Sequence, residues 1–563
     1  MLIDVAVPEM ALPPLTYSTD TDIPEGARVI VEVQRSLHAG FVLGETQRDV
    51  GDAEIKPVAG IIDDRLMTDP DIWDLAKWAG KVCLCGMNTA LRFLLPKIFW
   101  TGERVEAPPY LAETRGQFRE VHNFNPFDAE RVNFYAEEMK CDERVLILFS
   151  SREAAQRFYR TIAADDVLFW KGSSDWEAVN TKKFRVVVGT AGAVSAPLSP
   201  QKIIVDDEDS PNYITPYGLR ISARSLAGHR ASFLGATLIL GGRMPSLKTY
   251  MRAHPSQTVK PDRRNIILAD IWRSRKEEAQ GIDGQIPLTF SLIRRTYTEL
   301  LHGNNVVWIL SRTGTAREVY CEKCGAVLKC VRCGSVMRSF GGGELLKCPM
   351  CGSVRELPEK CECGRRFFRG RRPGIEALAE IVSRYYPKVK LYDKNAKHNR
   401  GLILATRSGL DVVEKVDVSL IAWVDLDLEL WGDDYDKRRL VFSMLYRSLY
   451  AGSRTPRKVL VQARRTGLKL AEYLLQGWEK FLAEELRERD EFMMPPCGYM
   501  IEIDTRGKIA RETLIDILED NGLFVMDPGD ETKPLYVNTD RLDDVSEILE
   551  QYSGMLSITV RSE

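Results

Sequence analysis

No run of this chain approaches the ~18 consecutive apolar residues that read as a membrane span. The opening Met1-Leu-Ile-Asp-Val-Ala-Val-Pro has neither a basic start nor a long apolar core, which excludes a secretion signal there. Low-complexity tracts and internal repeats are missing too, leaving an ordinary globular chain. Nor does one sign of charge dominate: 78 Lys and Arg against 80 Asp and Glu give a formal net charge of −2. A nucleic-acid partner must therefore be argued from local basic clusters. The expectation is a cytoplasmic protein with no membrane partner. In that compartment thiols stay reduced, so a dense cysteine cluster reads as metal ligands and not as disulfides.

What is present is length and alternation. The 563 residues suffice for several domains. Residues 1–105 carry short β-like runs (Leu2–Val7, Arg28–Val33, Gly40–Gly44) and then an apolar helical stretch near Asp69–Leu95. This predicts a small β-rich N-terminal domain with a helical tail. From about residue 115 short apolar strands alternate with helix-like segments. They are Val145–Phe149, Phe184–Val188, Ile203–Val205 and Thr237–Leu240, then Val306–Leu310, Val389–Leu391, Leu402–Leu404, Ser419–Val424 and Lys458–Val461. Such alternation predicts parallel sheets covered on both faces. Two blocks of strands suggest two α/β lobes, at 115–295 and at 296–318 with 373–480, although one large doubly wound domain would read alike. A cysteine-rich insertion, 319–372, interrupts the second block. A small α/β domain, 490–563, contains the turn signal Met494-Pro-Pro-Cys-Gly498.

Eight of the twelve cysteines form four close pairs: Cys321 and Cys324, Cys330 and Cys333, Cys348 and Cys351, Cys361 and Cys363. Cys-x2-Cys before Gly is a tight turn that aims two thiolates at one point, and paired turns supply the tetrahedral coordination zinc takes. With no histidine inside the module, two all-sulfur sites fit the count. The remaining Cys83, Cys85, Cys141 and Cys497 are dispersed and read as core or surface thiols. Beside the module lie Lys360, Arg365, Arg366, Arg369, Arg371 and Arg372, with Phe367 and Phe368 among them. Guanidinium groups next to aromatics suit phosphate contact and base stacking; a solvated basic face is the alternative.

Tyr320-Cys-Glu-Lys-Cys-Gly, Cys330-Val-Arg-Cys, Cys348-Pro-Met-Cys-Gly and Leu357-Pro-Glu-Lys-Cys, followed by Gly374-Ile-Glu-Ala-Leu-Ala-Glu, resemble the zinc region of the primosomal protein N′ (PriA) replication-restart helicase family. The resemblance extends outward. Lys202-Ile-Ile-Val-Asp-Asp-Glu-Asp209 is similar to the family's Walker B strand, with Asp206, Asp207 and Glu208 as its altered acidic set. Tyr217-Gly-Leu-Arg-Ile-Ser-Ala-Arg-Ser-Leu-Ala-Gly-His-Arg-Ala231 is similar to the loop and helix that couple DNA to ATP. Pro14-Leu-Thr-Tyr-Ser resembles the start of the domain that binds a DNA 3′ end, and no room remains after that domain for the family's winged helix. The resemblance implies two RecA-like (P-loop NTPase-type) lobes and nested zinc pairing. One site would use Cys321, Cys324, Cys361 and Cys363, the other Cys330, Cys333, Cys348 and Cys351. The pair Cys361-Glu-Cys363 is one residue shorter than the family's. Tyr17, Tyr213, Tyr217, Arg220 and Arg224, with Arg365, Arg366 and Arg369, are the expected DNA contacts; lobe packing is the alternative for the tyrosines.

The motor residues depart from that pattern. A phosphate-gripping loop needs Gly for close approach, Lys for the β/γ-phosphates and Ser or Thr for Mg²⁺. Where the family places it, this chain reads His122-Asn-Phe-Asn-Pro-Phe-Asp-Ala-Glu130. Asp207 is one methylene shorter than the family's water-activating Glu. Gly242-Arg243-Met244 replaces Ser-Ala-Thr, and Arg447-Ser-Leu-Tyr-Ala-Gly-Ser-Arg454 keeps at best one finger arginine. Thr16 replaces the family's Asp before Tyr17. The expectation is a restart protein that binds forked or single-stranded DNA with two Zn²⁺ and loads restart and helicase-loading proteins, with single-stranded-DNA-binding protein a further candidate partner. ATP and Mg²⁺, cofactors of the family, are not expected to drive unwinding. An active 3′-to-5′ helicase and a zinc-dependent protein scaffold are the alternatives.

Overall fold

Val145-Leu-Ile-Leu148, Val186-Val-Val-Gly189 and Lys202-Ile-Ile-Val205 are buried at every position, as strands covered on both faces must be. In the computed structural model they sit in a six-stranded parallel sheet. Its order is Arg119–Phe124, Thr237–Gly242, Lys202–Val205, Val145–Leu148, Val186–Gly189 and Val167–Phe169. The model describes all residues except 8–13, 47–53, 107–115, 141, 182, 215–218, 257–258, 274–275, 278–285, 312–315, 341–343, 387–389, 392–400, 412, 414–415, 432–433, 506, 530–532, 551 and 553–555.

A second six-stranded parallel sheet runs Ile266–Asp270, Lys458–Ala463, Leu420–Trp423, Val306–Ile309, Leu402–Ala405 and Lys390–Leu391. Counting strands along the chain within each sheet gives the same order, 1-6-5-2-4-3, in both. The two lobes are thus two copies of one doubly wound topology. Period-two alternation sends Leu146 and Leu148 to one face of the first sheet and Val145 and Ile147 to the other, into separate cores.

Three further sheets of four or five strands are antiparallel, as is the two-stranded pair Lys276–Glu277 and Leu288–Thr289. The N-terminal one has the order Leu15–Ser18, Leu2–Ala6, Ser36–Glu45, Arg28–Val33, Gly60–Ile61. It is followed by helices Pro70–Val82 and Gly86–Leu94, whose Trp73, Leu75, Ala76 and Leu91 join the core of the first lobe. The cysteine-rich insertion is a sheet ordered Val354–Glu356, Leu345–Lys347, Arg338–Phe340, Ala316–Cys321, Phe368–Pro373. At the far end, Val525–Met526, Leu535–Thr539, Tyr499–Asp504 and Ser557–Arg561 form a four-stranded sheet, against which helices Arg511–Asp520 and Leu542–Glu550 pack.

By contact density the chain forms two compact units. One comprises Met1–Phe124, Arg131–Pro255 and Leu482–Glu563; the other comprises Asn125–Glu130 and Ser256–Phe481. No helix among the described residues is long and apolar enough to cross a membrane.

Candidate metal centres and nucleic-acid interface

The eight paired cysteines converge as two groups of four: Cys321, Cys324, Cys361 and Cys363, and Cys330, Cys333, Cys348 and Cys351. Each pair is followed by a glycine in the left-handed region: Gly325 (φ 73°), Gly334 (φ 72°), Gly352 (φ 72°) and Gly364 (φ 80°). These glycines close the turns by donating their N–H to the carbonyls of Cys321, Cys330, Cys348 and Cys361, at 2.9, 2.9, 3.2 and 2.8 Å. The short pair makes the same closure with one residue fewer, so Cys363 still reaches the outer group.

Within the groups, sulfur–sulfur separations are 3.5 Å (Cys321–Cys363), 3.7 Å (Cys324–Cys361), 3.6 Å (Cys330–Cys351) and 3.4 Å (Cys333–Cys348). Tetrahedral zinc with bonds of about 2.3 Å requires ligand edges of about 3.8 Å, so both groups fit a zinc ion with little movement. The backbone N–H of Cys324, then that of Lys323, lowers the Cys321 thiol to about 6. The Ser353 hydroxyl, then the N–H of Arg332, does the same for Cys330, also to about 6. At these two thiols the thiolate, the form a metal binds, is thereby favoured at neutral pH, whereas Cys348 and Cys361 are pushed up to about 11.

Between the outer group and strand Phe368–Pro373, the Arg365 guanidinium lies 5.3 Å over the Phe367 ring, which is 61% exposed. Arg366 is exposed, and Arg369 pairs with Glu322 at 2.8 Å. The side chains of Arg371 and Arg372 lie outside the described residues.

The carboxylates expected to form an altered Walker B set, Asp206, Asp207 and Glu208, are already paired. Arg131, on helix Asp128–Glu138, is 2% exposed and donates from Nε to Asp206 Oδ1 at 2.7 Å; its Nη2 is 3.4 Å from Asp207. The Tyr135 hydroxyl donates to the same Asp206 oxygen at 2.8 Å. Burial, reinforced by the Asp206 charge, holds that phenol well above its ordinary pKa. Arg243 Nη1 lies 2.9 and 2.7 Å from the two oxygens of Asp207. Glu208 accepts from the Ser246 N–H at 2.6 Å and pairs with Arg224 at 3.3 Å. Sequence reading noted Arg243 but missed Arg131, since nothing in the polar helix marks a partner 75 positions away.

The segment expected to lack phosphate-gripping residues lies between strand Arg119–Phe124 and helix Asp128–Glu138. Its Phe127 ring meets Tyr450 edge-on at 5.4 Å, and Asp128 Oδ2 accepts from the Gly452 N–H at 3.1 Å. Acidic Asp128 and Glu130 occupy the helix's first turn, where a phosphate would otherwise be favoured.

Two expected DNA contacts need correction. Tyr213 is fully buried, its hydroxyl 2.6 Å from the Asp206 carbonyl and 3.0 Å from that of Leu148, so its ring packs the lobe and offers no face to a base. Tyr17, 3% exposed, donates to the Glu32 carbonyl at 3.1 Å and is likewise a packing residue. Beside it Thr16 donates to Asp4 Oδ1 at 2.7 Å. Tyr217 lies outside the described residues. Arg220 keeps a side-chain exposure of 37% while pairing with Glu502 at 3.4 Å. Arg224 is 4% exposed and pairs with Glu563 as well as Glu208.

Comparison with known proteins fits this construction. A family model described as the 3′DNA-binding domain (3′BD) of PriA matches residues 4–96. Replication restart protein PriA of Thermotoga maritima is 25% identical over 372 residues, 61% of this chain and 50% of that protein. The PriA of Treponema pallidum is 20% identical over 550 residues, covering 86% and 83%. The chain thus spans half the length of the first of these relatives. A solved structure of RecG bound to a three-way DNA junction aligns with a TM-score of 0.34 and 8% identity, over 66% of this chain and 44% of that one. Through residues 4–96, which match that family model, and through 58–86% of its length in the curated relatives, the chain is similar to the PriA replication-restart proteins.

Proposed function

We propose that this protein binds forked or single-stranded DNA and serves as a loading platform for replication-restart and helicase-loading proteins, without ATP-driven unwinding. The observation that carries the reading is the pairing of Arg131 and Arg243 with Asp206 and Asp207. In a working motor the first of those carboxylates holds Mg²⁺ and the second orients the attacking water. Here a metal ion would have to displace two guanidinium groups at nearly buried positions. The loop at 122–130, which offers neither Gly nor Lys to a phosphate, supports the same reading.

Binding is retained. Both cysteine groups hold zinc and keep the small antiparallel sheet folded, presenting Arg365, Arg366 and Phe367 to a single strand. Zinc supplies structural coordination there, and the chain's own arginines and aromatic ring make the DNA contacts.

The test is affinity for forked and duplex DNA across a salt series, with and without ATP and Mg²⁺. Tight fork binding that weakens steeply with salt and ignores nucleotide is expected. Binding that needs ATP would return the helicase reading, and salt-insensitive or absent binding would favour a protein-only scaffold.

A further inference from the structure

Both lobe arginines assigned to DNA already face carboxylates from the C-terminal sheet. Along strand Tyr499–Asp504 the side chains of Ile501 and Ile503 enter the core of that sheet, so the two-residue period puts Glu502 on the opposite face. There Glu502 lies 3.4 Å from Arg220 and 2.5 Å from Arg561. Just beyond strand Ser557–Arg561, Glu563 accepts from the Ser225 hydroxyl at 2.5 Å, lies 3.6 Å from the Lys248 ammonium and pairs with Arg224.

The set around Glu563, a guanidinium, a hydroxyl and an ammonium that itself donates to Ser225 at 3.2 Å, is one that coordinates the oxygens of an anion. Glu208, which pairs with Arg224 at 3.3 Å, is the second carboxylate facing these cations. Burial, then the nearby Arg224 and Arg252, push the Lys248 amine down to about 7.

We infer that Glu502 and Glu563 act as internal phosphate mimics, covering Arg220 and the Arg224–Ser225–Lys248 cradle, so that two backbone phosphates of single-stranded DNA must displace the C-terminal strands to bind there. The inference rests on the proposed DNA binding and on the expectation, implied by the family resemblance, that Arg220 and Arg224 take part in it. Exchange is feasible because the Arg220 pair has solvent access and is individually weak, and because Arg224 keeps Glu208 at 3.3 Å when Glu563 leaves, so no buried guanidinium is stranded.

The experiment compares the full chain with its E502Q/E563Q variant, titrated with a fluorescent single-stranded oligonucleotide over a salt series. The variant should bind roughly threefold to tenfold tighter at low salt, the worth of two such pairs. Its log–log salt slope should steepen by about 1.4, two phosphates at ~0.7 each. Unchanged affinity and slope overturn the inference. If in that case Arg220→Ala and Arg224→Lys still weaken binding, the DNA assignment survives; if they do not, it fails too. Hydrogen exchange on the unmodified chain is independent of how the variant folds. Amides of 499–504 and 557–561 should exchange faster when the oligonucleotide is bound, and unaltered exchange likewise overturns the inference.

Discussion

Replacing Arg131 with alanine should cost far more than a surface substitution, by an amount that grows as pH rises in a calculable way. Arg131 and Asp206 are 2% and 6% exposed, and they share a 2.7 Å hydrogen bond. Removing the guanidinium strands a carboxylate in a nearly buried site, for which losses of about 3–5 kcal/mol are usual. A second route bounds the same number. The stranded Asp206 can escape its charge by taking up a proton, which for a group of ordinary pKa about 3.9 costs about 4 kcal/mol at pH 7 and about 1.5 kcal/mol at pH 5. In the variant the folded-state pKa of Asp206 is raised, so the folded state holds a proton that the unfolded state has lost. Stability relative to the parent must then fall as pH rises above about 3.9. A chain of several domains does not unfold in one step, so the readout should be local: native-state hydrogen exchange of strand Lys202–Val205, immediately before Asp206. Protection there should drop about 1,000-fold at pH 7 and about tenfold at pH 5. A loss under tenfold at both pH values would mean that Asp206 is solvated and available to a metal, refuting the argument that arginine has taken the place of Mg²⁺.

Other outcomes follow from the metal centres and the basic segment 365–367. Cys330→Ser should reduce zinc from two per chain to one by native mass spectrometry, leaving the outer group filled. Loss of both ions would mean that the two groups are not independent. Stripping both metals should unfold 316–373, since each site contributes on the order of 10 kcal/mol to so small a module. Phe367→Ala should weaken single-strand binding by about 1–3 kcal/mol with little change in salt slope, whereas Arg365→Ala should lower the slope by about 0.7. Equal effects on affinity and slope from both would argue against a stacking role for the ring.

The parts of the fold most legible in the sequence are those whose environment is uniform. Interior strands such as Val145–Leu148 and Leu420–Trp423 are apolar at every position because both faces are covered, and they stand out. Arg119–Phe124 and Ile266–Asp270 were missed because each lies at a sheet edge, where only some positions are buried and Arg-Glu-Val-His-Asn-Phe reads as a loop. Val167–Phe169, three residues long, carries too little pattern to register. The cysteine pairs were legible because tight turns make ligand spacing a local property, whereas which pairs join in each group was implied only by the family resemblance.

Pairings across long sequence gaps were not legible. Arg131 with Asp206, Arg224 with Glu563 and Tyr213 with the carbonyl of Leu148 depend on which strands become neighbours. Sequence shows that Tyr213 is an aromatic beside an acidic strand end; only the closed loop shows that its hydroxyl satisfies two carbonyls inside the lobe.

The central claim is that this motor fold no longer splits ATP. Steady-state ATP turnover by the full chain with Mg²⁺ and saturating forked DNA addresses it directly. The account predicts no DNA-stimulated turnover above the protein-free rate, whereas stimulated turnover of even ~1 per second, the low end for ordinary enzymes, would contradict it.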